Sequence, residues 1–442
     1  MKKFIFIFLC FSLVVSTPSL PEARFLPQRS VLENGLILLT SEQKTLPMVS
    51  IKLLIKAGSR YDPAGSEGVS NLTSRLLTYG TIKRTALEIA ETLDFMGASL
   101  GTRSRRDQMS VSLTVLKKDL QVGLKLLAEI LTESTFLPKE IEKQKQFIIA
   151  SIKARRENPR RIARERFLEA LFPQSAYGRP VEGTEDSIVA IERDSLVGFY
   201  KRFYRPDRAI LAVVGDVSHQ EMEQKIARAF QSWAKGPSIK DSPPTVISGP
   251  AKFIRISKKL TQANILFGHE GVPRGHPDFY AIRIMNYILG GGGFSSRLMD
   301  SIRNERGLAY SVRSRFSSGK YVGTFRVSMQ TKNKSAKEAI RIAMEEIRRI
   351  RREGVSEEEL KAAKDYLVGS FPLRLDTNWR IADFLAFGEF FGLELNFIDR
   401  YPELIQQVSQ EDILRVAKRH LRPEKLIVVI VANQEKTGFK IK

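Results

Sequence analysis

The 442-residue sequence predicts an α+β fold of two similar, duplicated domains, each an antiparallel sheet packed with helices. The chain is too long for one ordinary core and suits two domains of roughly 200 residues each. An internal repeat supports the duplication, because a buried-looking apolar strand follows both Pro206 and Pro423, about half the chain apart. Strand-like and helix-like segments come in blocks, which is typical of α+β domains with antiparallel strands.

The first half begins with a hairpin signal and continues with the residue patterns of strands and of helices. Asn34-Gly35 lies between two short apolar runs, the strongest short-range signal for a hairpin. Val49, Ile51, Leu53 and Ile55 alternate with other residues and predict a half-buried strand. Further patterns predict helices over 69–77, 85–96, 120–131 and 138–157, and strands over 111–115 and 209–214.

The second half repeats this scheme. Its patterns predict helices near 277–289 and 296–306, strands at 309–316, 321–329 and 426–431, and helices from Lys334 onward. We therefore predict an N-terminal domain over 28–232, a linker rich in Pro, Gly and Ser over 233–250, and a C-terminal domain over 251–442. We expect this linker to join the two domains.

The first 19 residues have the pattern of a secretory signal. Lys2 and Lys3 precede the apolar run 4–15, and small residues follow it. An uncleaved anchor is the alternative, but the run is short for spanning a bilayer. Cys10 is the only cysteine, so the mature chain would have none, and no later segment is apolar enough to cross a membrane. We expect an exported protein, in the periplasm if the host has two membranes.

The net charge of +22 raises the question of acidic partners. Arginine clusters such as 103–106 and 348–352 could indicate a nucleic-acid surface. Glutamates interleave with the arginines at helical spacing, which favours solvated helix faces with some attraction for acidic peptides or anionic lipid. We expect no nucleic-acid partner.

The segment 68–81 resembles the zinc helix of the inverzincin peptidases, the superfamily of pitrilysin and the mitochondrial processing peptidase. In that helix H-x-x-E-H supplies two zinc-binding histidines and the general base. Asn71, Ser74 and Arg75 occupy those three positions here. On a later helix, Gln144 and Ser151 stand where the family has a supporting carboxylate and the third zinc ligand. The resemblance thus implies a degenerate site at which this chain binds no metal.

A second part of the family's site is retained. The segments 289–298 and 302–311 resemble the C-terminal motif in which an arginine and a tyrosine hold the substrate backbone and stabilise the oxyanion. Arg303 and Tyr310 match those positions; the alternative is a surface arginine paired with Glu305 and a tyrosine packed in the sheet. The loop Gly290, Gly291, Gly292 and Gly293 lacks a phosphate-loop ending, and the resemblance implies a role in substrate handling.

The resemblance implies a non-catalytic, substrate-binding subunit of an exported heterodimeric zinc metallopeptidase that hydrolyses peptides. It also implies that the two domains, joined by the linker, form one half of a clamshell. The partner would be an H-x-x-E-H chain of the same superfamily that holds the zinc, and this chain alone would be inactive. One alternative is a peptide-binding or structural scaffold without hydrolase activity. Another is an active peptidase with an unrecognised metal site around His269 and His276, although their spacing does not suit one helix face.

Overall fold

The computed structural model describes residues 27–239, 241, 243 and 249–439. The predicted signal segment therefore lies outside the described residues, as does part of the predicted linker. None of the helices in the described ranges is long and apolar enough to cross a membrane.

The first sheet contains six strands from the first half of the chain. They are β1 (Gln28–Val31), β2 (Ile37–Glu42), β3 (Met48–Ile55), β4 (Ser99–Ser104), β5 (Met109–Leu116) and β6 (Ala209–Gly215). Their order is β1-β2-β6-β3-β5-β4. β2 and β6 pair in parallel and all other neighbours are antiparallel. The predicted hairpin at Asn34-Gly35 is confirmed as the β1–β2 turn.

The second sheet repeats this topology with five strands. They are β7 (Lys252–Ser257), β8 (Gln262–Gly271), β9 (Ala309–Ser318), β10 (Gly323–Lys332) and β11 (Ile427–Ala432). The order β7-β11-β8-β10-β9 matches the first sheet without β1, and again one pair, β7 and β11, is parallel. β6 and β11, the strands after the repeated prolines, hold equivalent places. The predicted duplication is confirmed, and each sheet is antiparallel except for one parallel pair, β2 with β6 in the first sheet and β7 with β11 in the second.

The helices of the first half are α1 (Val69–Leu76), α2 (Ala86–Phe95), α3 (Leu120–Thr132), α4 (Pro138–Arg155), α5 (Pro159–Leu171), α6 (Glu185–Ala190), α7 (Arg193–Phe203) and α8 (His219–Ala229). Those of the second half are α9 (Phe279–Asn286), α10 (Arg297–Met299), α11 (Ala336–Glu353), α12 (Glu357–Gly369), α13 (Asn378–Phe391), α14 (Phe397–Gln406) and α15 (Gln410–His420). Wide π-type turns follow α9 at 287–291 and α10 at 300–304. The helices predicted near 277–289 and 296–306 are therefore partly π-helical.

Each sheet packs one face against helices of its own half. The first core joins β3, β5 and β6 to α1, α3, α7 and α8. The second joins β8, β10 and β11 to α9, α11, α14 and α15. Trp233, at the start of the predicted linker, is buried in the first core, where its indole N–H donates to the Tyr204 carbonyl at 3.0 Å.

The other face of each sheet is covered by a helix from the opposite half. α5 packs on β8 and β11 of the second sheet through Phe167, Leu168 and Leu171. α13 packs on β2, β3 and β6 of the first sheet through Ile381, Leu385 and other apolar side chains. Burying a large apolar side chain contributes about 1.5–3 kcal/mol. The two halves therefore stabilise each other through a reciprocal exchange of helices.

This exchange explains why the prediction of a half-buried strand at 49–55 is wrong. β3 is buried on both faces, including Ser50 and Lys52 on the side expected to meet solvent. α13, more than 300 residues away in the sequence, covers that side. The two faces of β3 therefore belong to two different cores, and the alternating pattern does not mark a face exposed to solvent. A long-range contact of this kind leaves no local periodic signal.

Lys52 forms a polar link between the halves within this contact. Its Nζ lies 3.0 Å from an Asp383 carboxylate oxygen and donates to Ser112 Oγ at 3.0 Å. The Lys52 side chain is only 8% exposed, so its charge depends on Asp383 for compensation.

Substituting Asp383→Asn should lower the stability of the protein by about 1–3 kcal/mol, because it leaves a buried ammonium without a counter-charge. The measurement is the midpoint of urea denaturation by circular dichroism. Asp376→Asn is the matched control, since Asp376 pairs with Arg380 on the exposed surface of the same helix region. Equal losses of stability in the two variants would contradict a larger contribution from the buried pair of Lys52 and Asp383 than from an exposed ion pair.

Candidate functional site

The helix that carries the degenerate motif begins at a glycine and is held by a buried carboxylate. Gly68 has φ +102°, and a Cβ there would lie 2.9 Å from the Glu182 carbonyl oxygen. The Asp62 carboxylate accepts hydrogen bonds from the N–H groups of Gly68 and Ser70, at 2.8 and 2.9 Å. Burial raises the pKa of Asp62 to about 6. These contacts fix the start of α1 although its metal-binding side chains are absent.

The three motif positions on α1 are engaged with their surroundings. Ser74 is buried, and its hydroxyl donates to the Asn71 carbonyl at 2.9 Å. Arg75 Nε donates to Gln144 Oε1 on α4 at 3.2 Å, and its guanidinium lies 4.8 Å from the centre of the Phe147 ring. Asn71 Oδ1 is buried and has no hydrogen-bond partner in the described part of the chain. The structure thus brings α1 and α4 together as the resemblance implies.

These side chains do not fit a zinc ion. Zinc in proteins takes imidazole, thiolate or carboxylate ligands. The positions offer instead an amide oxygen, a hydroxyl that is already a donor, and a fixed guanidinium cation. Ser151, the position of the third ligand, supplies a second hydroxyl near the same space. A metal cation here would meet Arg75 and no anionic ligand among these five residues.

The degenerate motif opens into a large cavity between the two halves. Asn71, Ser74, Arg75 and Ser151 line it, and its volume is about 990 Å³. One wall consists of α1, α4, α5 and the turn between β4 and β5, and the opposite wall consists of β9 and β10 with the end of α13. Both exchanged helices therefore border the cavity.

The lining of the cavity is strongly basic. Its arginines are Arg75, Arg103, Arg105, Arg106, Arg155, Arg161, Arg164, Arg274, Arg315 and Arg326, and its carboxylates are Asp107, Glu165 and Glu182. Within the described ranges, only Arg155 of these arginines has a carboxylate oxygen within 4.0 Å, namely that of Glu182 at 2.7 Å. Several apolar rings, including Phe147 and Phe316, lie between the charges.

Arg303 and Tyr310 form a cluster on a different surface. The Arg303 guanidinium lies 5.1 Å from the centre of the Tyr310 ring and 4.8 Å from that of Phe294. Tyr310 is 82% exposed and Phe294 is 69% exposed. Glu305 contacts Arg306, and neither Arg303 nor Tyr310 lines the basic cavity. The pair predicted from the resemblance is therefore together, but apart from the degenerate zinc motif of the same chain.

The four glycines near this pair have unequal surroundings. Gly290 is buried, and a Cβ there would lie 2.6 Å from the backbone N of Ser314 on β9. The backbone that approaches Gly290 closely is therefore that of strand β9 in the same chain. Gly291 and Gly293 are exposed, and Gly293 has φ +66°. A role of this loop in substrate handling stays a prediction.

The structure does not bring His269 and His276 together as metal ligands. His269 is buried, with Nδ1 2.6 Å from the Glu270 carbonyl oxygen and Nε2 accepting from the Arg422 N–H at 3.0 Å. Burial lowers the pKa of His269 to about 4. Both ring nitrogens are engaged, so this histidine is a hydrogen-bonded structural residue.

A separate cluster joins His276 to Asp278 and His420. Their ligand atoms lie within 4.8 Å of one another, and His420 Nε2 is 2.7 Å from Asp278 Oδ2. The other Asp278 oxygen accepts from Arg415 at 2.7 Å, and Arg419 lies 3.7 Å from the carboxylate. Because two guanidiniums already neutralise Asp278, an ion-pair network describes the cluster better than a metal site.

Sequence reasoning missed the cavity-lining arginines of the second sheet. Arg315 on β9 and Arg326 on β10 line the cavity, whereas the sequence pointed to the clusters 103–106 and 348–352. The expectation of a solvated helix face is wrong for 103–106, because this cluster lies at the end of β4 and in the following turn, and it contributes three arginines to the cavity. The alternation Arg313-Ser314-Arg315 could have placed two arginines on one face of a strand. No local pattern could have shown that α5 of the first half faces that strand.

Comparison with known proteins relates this arrangement to one family. Residues 37–185 match the model of "Insulinase (Peptidase family M16)", and residues 190–367 match the model of "Peptidase M16 inactive domain". An uncharacterized zinc protease from Rickettsia bellii is 29% identical over 399 residues, which cover 88% of this chain and 94% of that protein.

Two solved structures share the fold along most of the chain. A crystal structure titled as a peptidase M16 inactive domain from Pseudomonas fluorescens aligns with a TM-score of 0.88 and 27% identity, covering 92% of this chain and 98% of its own. A protease from Helicobacter pylori aligns with a TM-score of 0.86 and 20% identity, covering 92% and 99%. Because two models of one family match successive parts of the chain, this protein belongs to peptidase family M16, as a member whose zinc-motif positions hold no zinc ligands.

Proposed function

We propose that this chain is the non-catalytic, substrate-binding subunit of an exported heterodimeric zinc peptidase. Its partner would be a chain of the same superfamily that carries H-x-x-E-H and holds the zinc ion. The reaction is hydrolysis of peptide bonds, for which this chain supplies groups that hold the substrate. The signal-like first 19 residues support export, with the periplasm as the expected compartment.

The observation that carries this proposal is the pair formed by half-buried Arg303 and exposed Tyr310. A guanidinium and a phenol hydroxyl are strong donors suited to a carbonyl oxygen that gains negative charge. Neither residue lines the chain's own cavity, which contains the degenerate motif. Arg303 is flanked by two exposed rings, which together form a surface that a second chain could cover.

The motif on α1 supports the same division of roles. The three positions on α1 and the two on α4 offer no zinc ligand and no general base at neutral pH, yet the helix and its buried cap are retained. A retained fold with lost ligands fits a subunit that contributes shape and substrate contacts. Hydrolysis would then depend on metal supplied by the partner.

A peptide-binding scaffold without hydrolase activity is the second candidate. The basic cavity favours it, since a cavity of about 990 Å³ lined by arginines and rings could hold a peptide in a chain that never meets a peptidase. The two candidates differ in whether a zinc-binding partner exists.

An affinity-tagged copy expressed in the native host should retain a second chain in equimolar amount, and that chain should contain H-x-x-E-H. Mass spectrometry of the eluate identifies the partner, and native mass spectrometry gives the stoichiometry. A lone chain or a dimer of two identical copies would refute the heterodimer and leave the scaffold.

In the purified complex, Tyr310→Phe should reduce turnover by about tenfold or more, because it removes one hydroxyl donor to the oxyanion while keeping the ring beside Arg303. The measurement is kcat on a fluorogenic peptide, with native mass confirming assembly. Tyr366→Phe is the control, since this exposed tyrosine stacks on Tyr287, whereas the rings that the Arg303 guanidinium contacts are Phe294 and Tyr310. Unchanged kcat in the Tyr310 variant would remove the oxyanion role.

Restoring the family's residues should create a zinc site. We expect the variant Asn71→His/Ser74→Glu/Arg75→His/Ser151→Glu to retain about one zinc ion per chain after dialysis, because two imidazoles and a carboxylate then face one space. The wild-type chain should retain none by the same elemental analysis.

The Ser74→Glu/Ser151→Glu variant is the control that adds carboxylates without imidazoles. A quadruple variant that folds, judged by its melting curve, but holds no zinc would show that these positions are wrongly matched. Stoichiometric zinc in the wild-type chain would contradict the non-catalytic assignment.

A further inference from the structure

The basic cavity has a charge imbalance that the structure does not neutralise. Ten arginines and three carboxylates line it, and only Arg155 has a carboxylate within ion-pairing distance in the described part of the chain. Elsewhere on this protein arginines pair routinely, as Arg341 does with Glu338 and Glu345 on α11. Unpaired arginines in a concave site raise the local concentration of anions.

Two of these arginines are direct neighbours on adjacent strands of the second sheet. Arg315 on β9 is the direct cross-strand partner of Arg326 on β10, so both side chains stand on the same face. Like charges directly opposite each other in an antiparallel pair are destabilising. Arg326 has one side-chain hydrogen bond among the described residues, to Ser317 Oγ at 3.1 Å, and this bond does not compensate its charge.

The opposite wall adds more positive charge. Arg106 Nε donates to the Tyr177 carbonyl at 3.0 Å, and Arg164 projects from α5 into the same space. Burial, together with Arg164, Arg315 and Arg106, lowers the pKa of Arg326 to about 10. Burial and the neighbouring Arg164 likewise lower the pKa of Arg106.

The carboxylates of the cavity are largely occupied by other groups. Asp107 accepts a hydrogen bond from the Tyr177 hydroxyl, and Glu182 pairs with Arg155. Burial raises the pKa of Glu165, which faces Glu182 as well as Arg155, Arg161 and Arg164. These three groups therefore offset only part of the arginine charge.

We propose that this cavity binds an acidic peptide segment, with Arg106, Arg164, Arg315 and Arg326 receiving its side-chain carboxylates. That the bound segment is part of a substrate rests on the proposed function. The acidic character of the segment adds the chemical class of that substrate. The arginines are spread over two walls, which suits several carboxylates along one chain. A volume of about 990 Å³ is far more than one inorganic anion fills, and the aromatic rings between the charges suit apolar side chains of a peptide.

The test is fluorescence anisotropy of a fluorescein-labelled octaglutamate peptide titrated with the isolated full chain. Binding should weaken as NaCl is raised, and an octaserine peptide should not bind. In the variant Arg315→Gln/Arg326→Gln the Kd should rise by about tenfold or more, since two charge-assisted contacts with the peptide carboxylates are lost.

Arg341→Gln/Arg352→Gln is the matched control. It removes the same net charge from exposed α11 positions outside the cavity and should leave the Kd unchanged. An equal loss of affinity in both variants would show that binding depends only on the net charge of the protein. That result would overturn the proposed site. Binding of inorganic tripolyphosphate in the absence of octaglutamate binding would also overturn it, because the occupant would then be a small polyanion.

A second measurement distinguishes a binding role from a structural one. Without peptide, Arg315→Gln/Arg326→Gln should raise the Tm by about 1–4 °C, because it relieves repulsion between opposed cations. A lower Tm would show that the arginines hold the fold and would overturn the proposal. Both measurements use the chain without a partner, so their failure is independent of whether the heterodimer exists.

Discussion

The reciprocal exchange of α5 and α13 is the constraint on which the rest of the structure depends. Each sheet would otherwise expose one apolar face, and each helix covers the sheet of the opposite half. Neither half can therefore bury both faces of its sheet alone. The basic cavity is the space that remains where the two exchanged helices meet the β4–β5 turn and the edge of the second sheet. The position of the cavity thus follows from the same contacts that stabilise the fold.

This arrangement also explains how the chain can tolerate so much unneutralised charge. Opposed arginines on β9 and β10 bring like charges together, which is unfavourable, and burial of the apolar clusters on both sheets opposes that effect. At the degenerate motif, Arg75 brings a fixed positive charge to the place where a metallopeptidase of this family holds a cation. The arginines that line the cavity would then attract negatively charged groups.

The sequence predicted the features that depend on neighbouring residues. The Asn34-Gly35 hairpin, the apolar strands after Pro206 and Pro423, and the helix that begins at Gly68 are all present. It failed where a distant segment decides the outcome: Lys52 was expected on a solvent face but lies under α13, next to Asp383. The residues of the candidate site likewise include some that the sequence predicted and some that it did not. Arg75 and Gln144 could be matched by motif, whereas Arg315 and Arg326 became visible only once strand pairing placed them opposite each other across from α5.

The separation of Arg303 and Tyr310 from the degenerate motif carries the functional argument furthest. Donors stabilise an oxyanion only when they are held about 3 Å from it, so a pair on another surface cannot assist chemistry inside the chain's own cavity. The guanidinium is nevertheless kept between two exposed rings, which is costly for apolar surface that remains in water. Both facts are accounted for if a second chain brings the scissile bond to this surface. The cavity and the pair would then act on different parts of one substrate, the first retaining an acidic segment and the second orienting the carbonyl that is attacked.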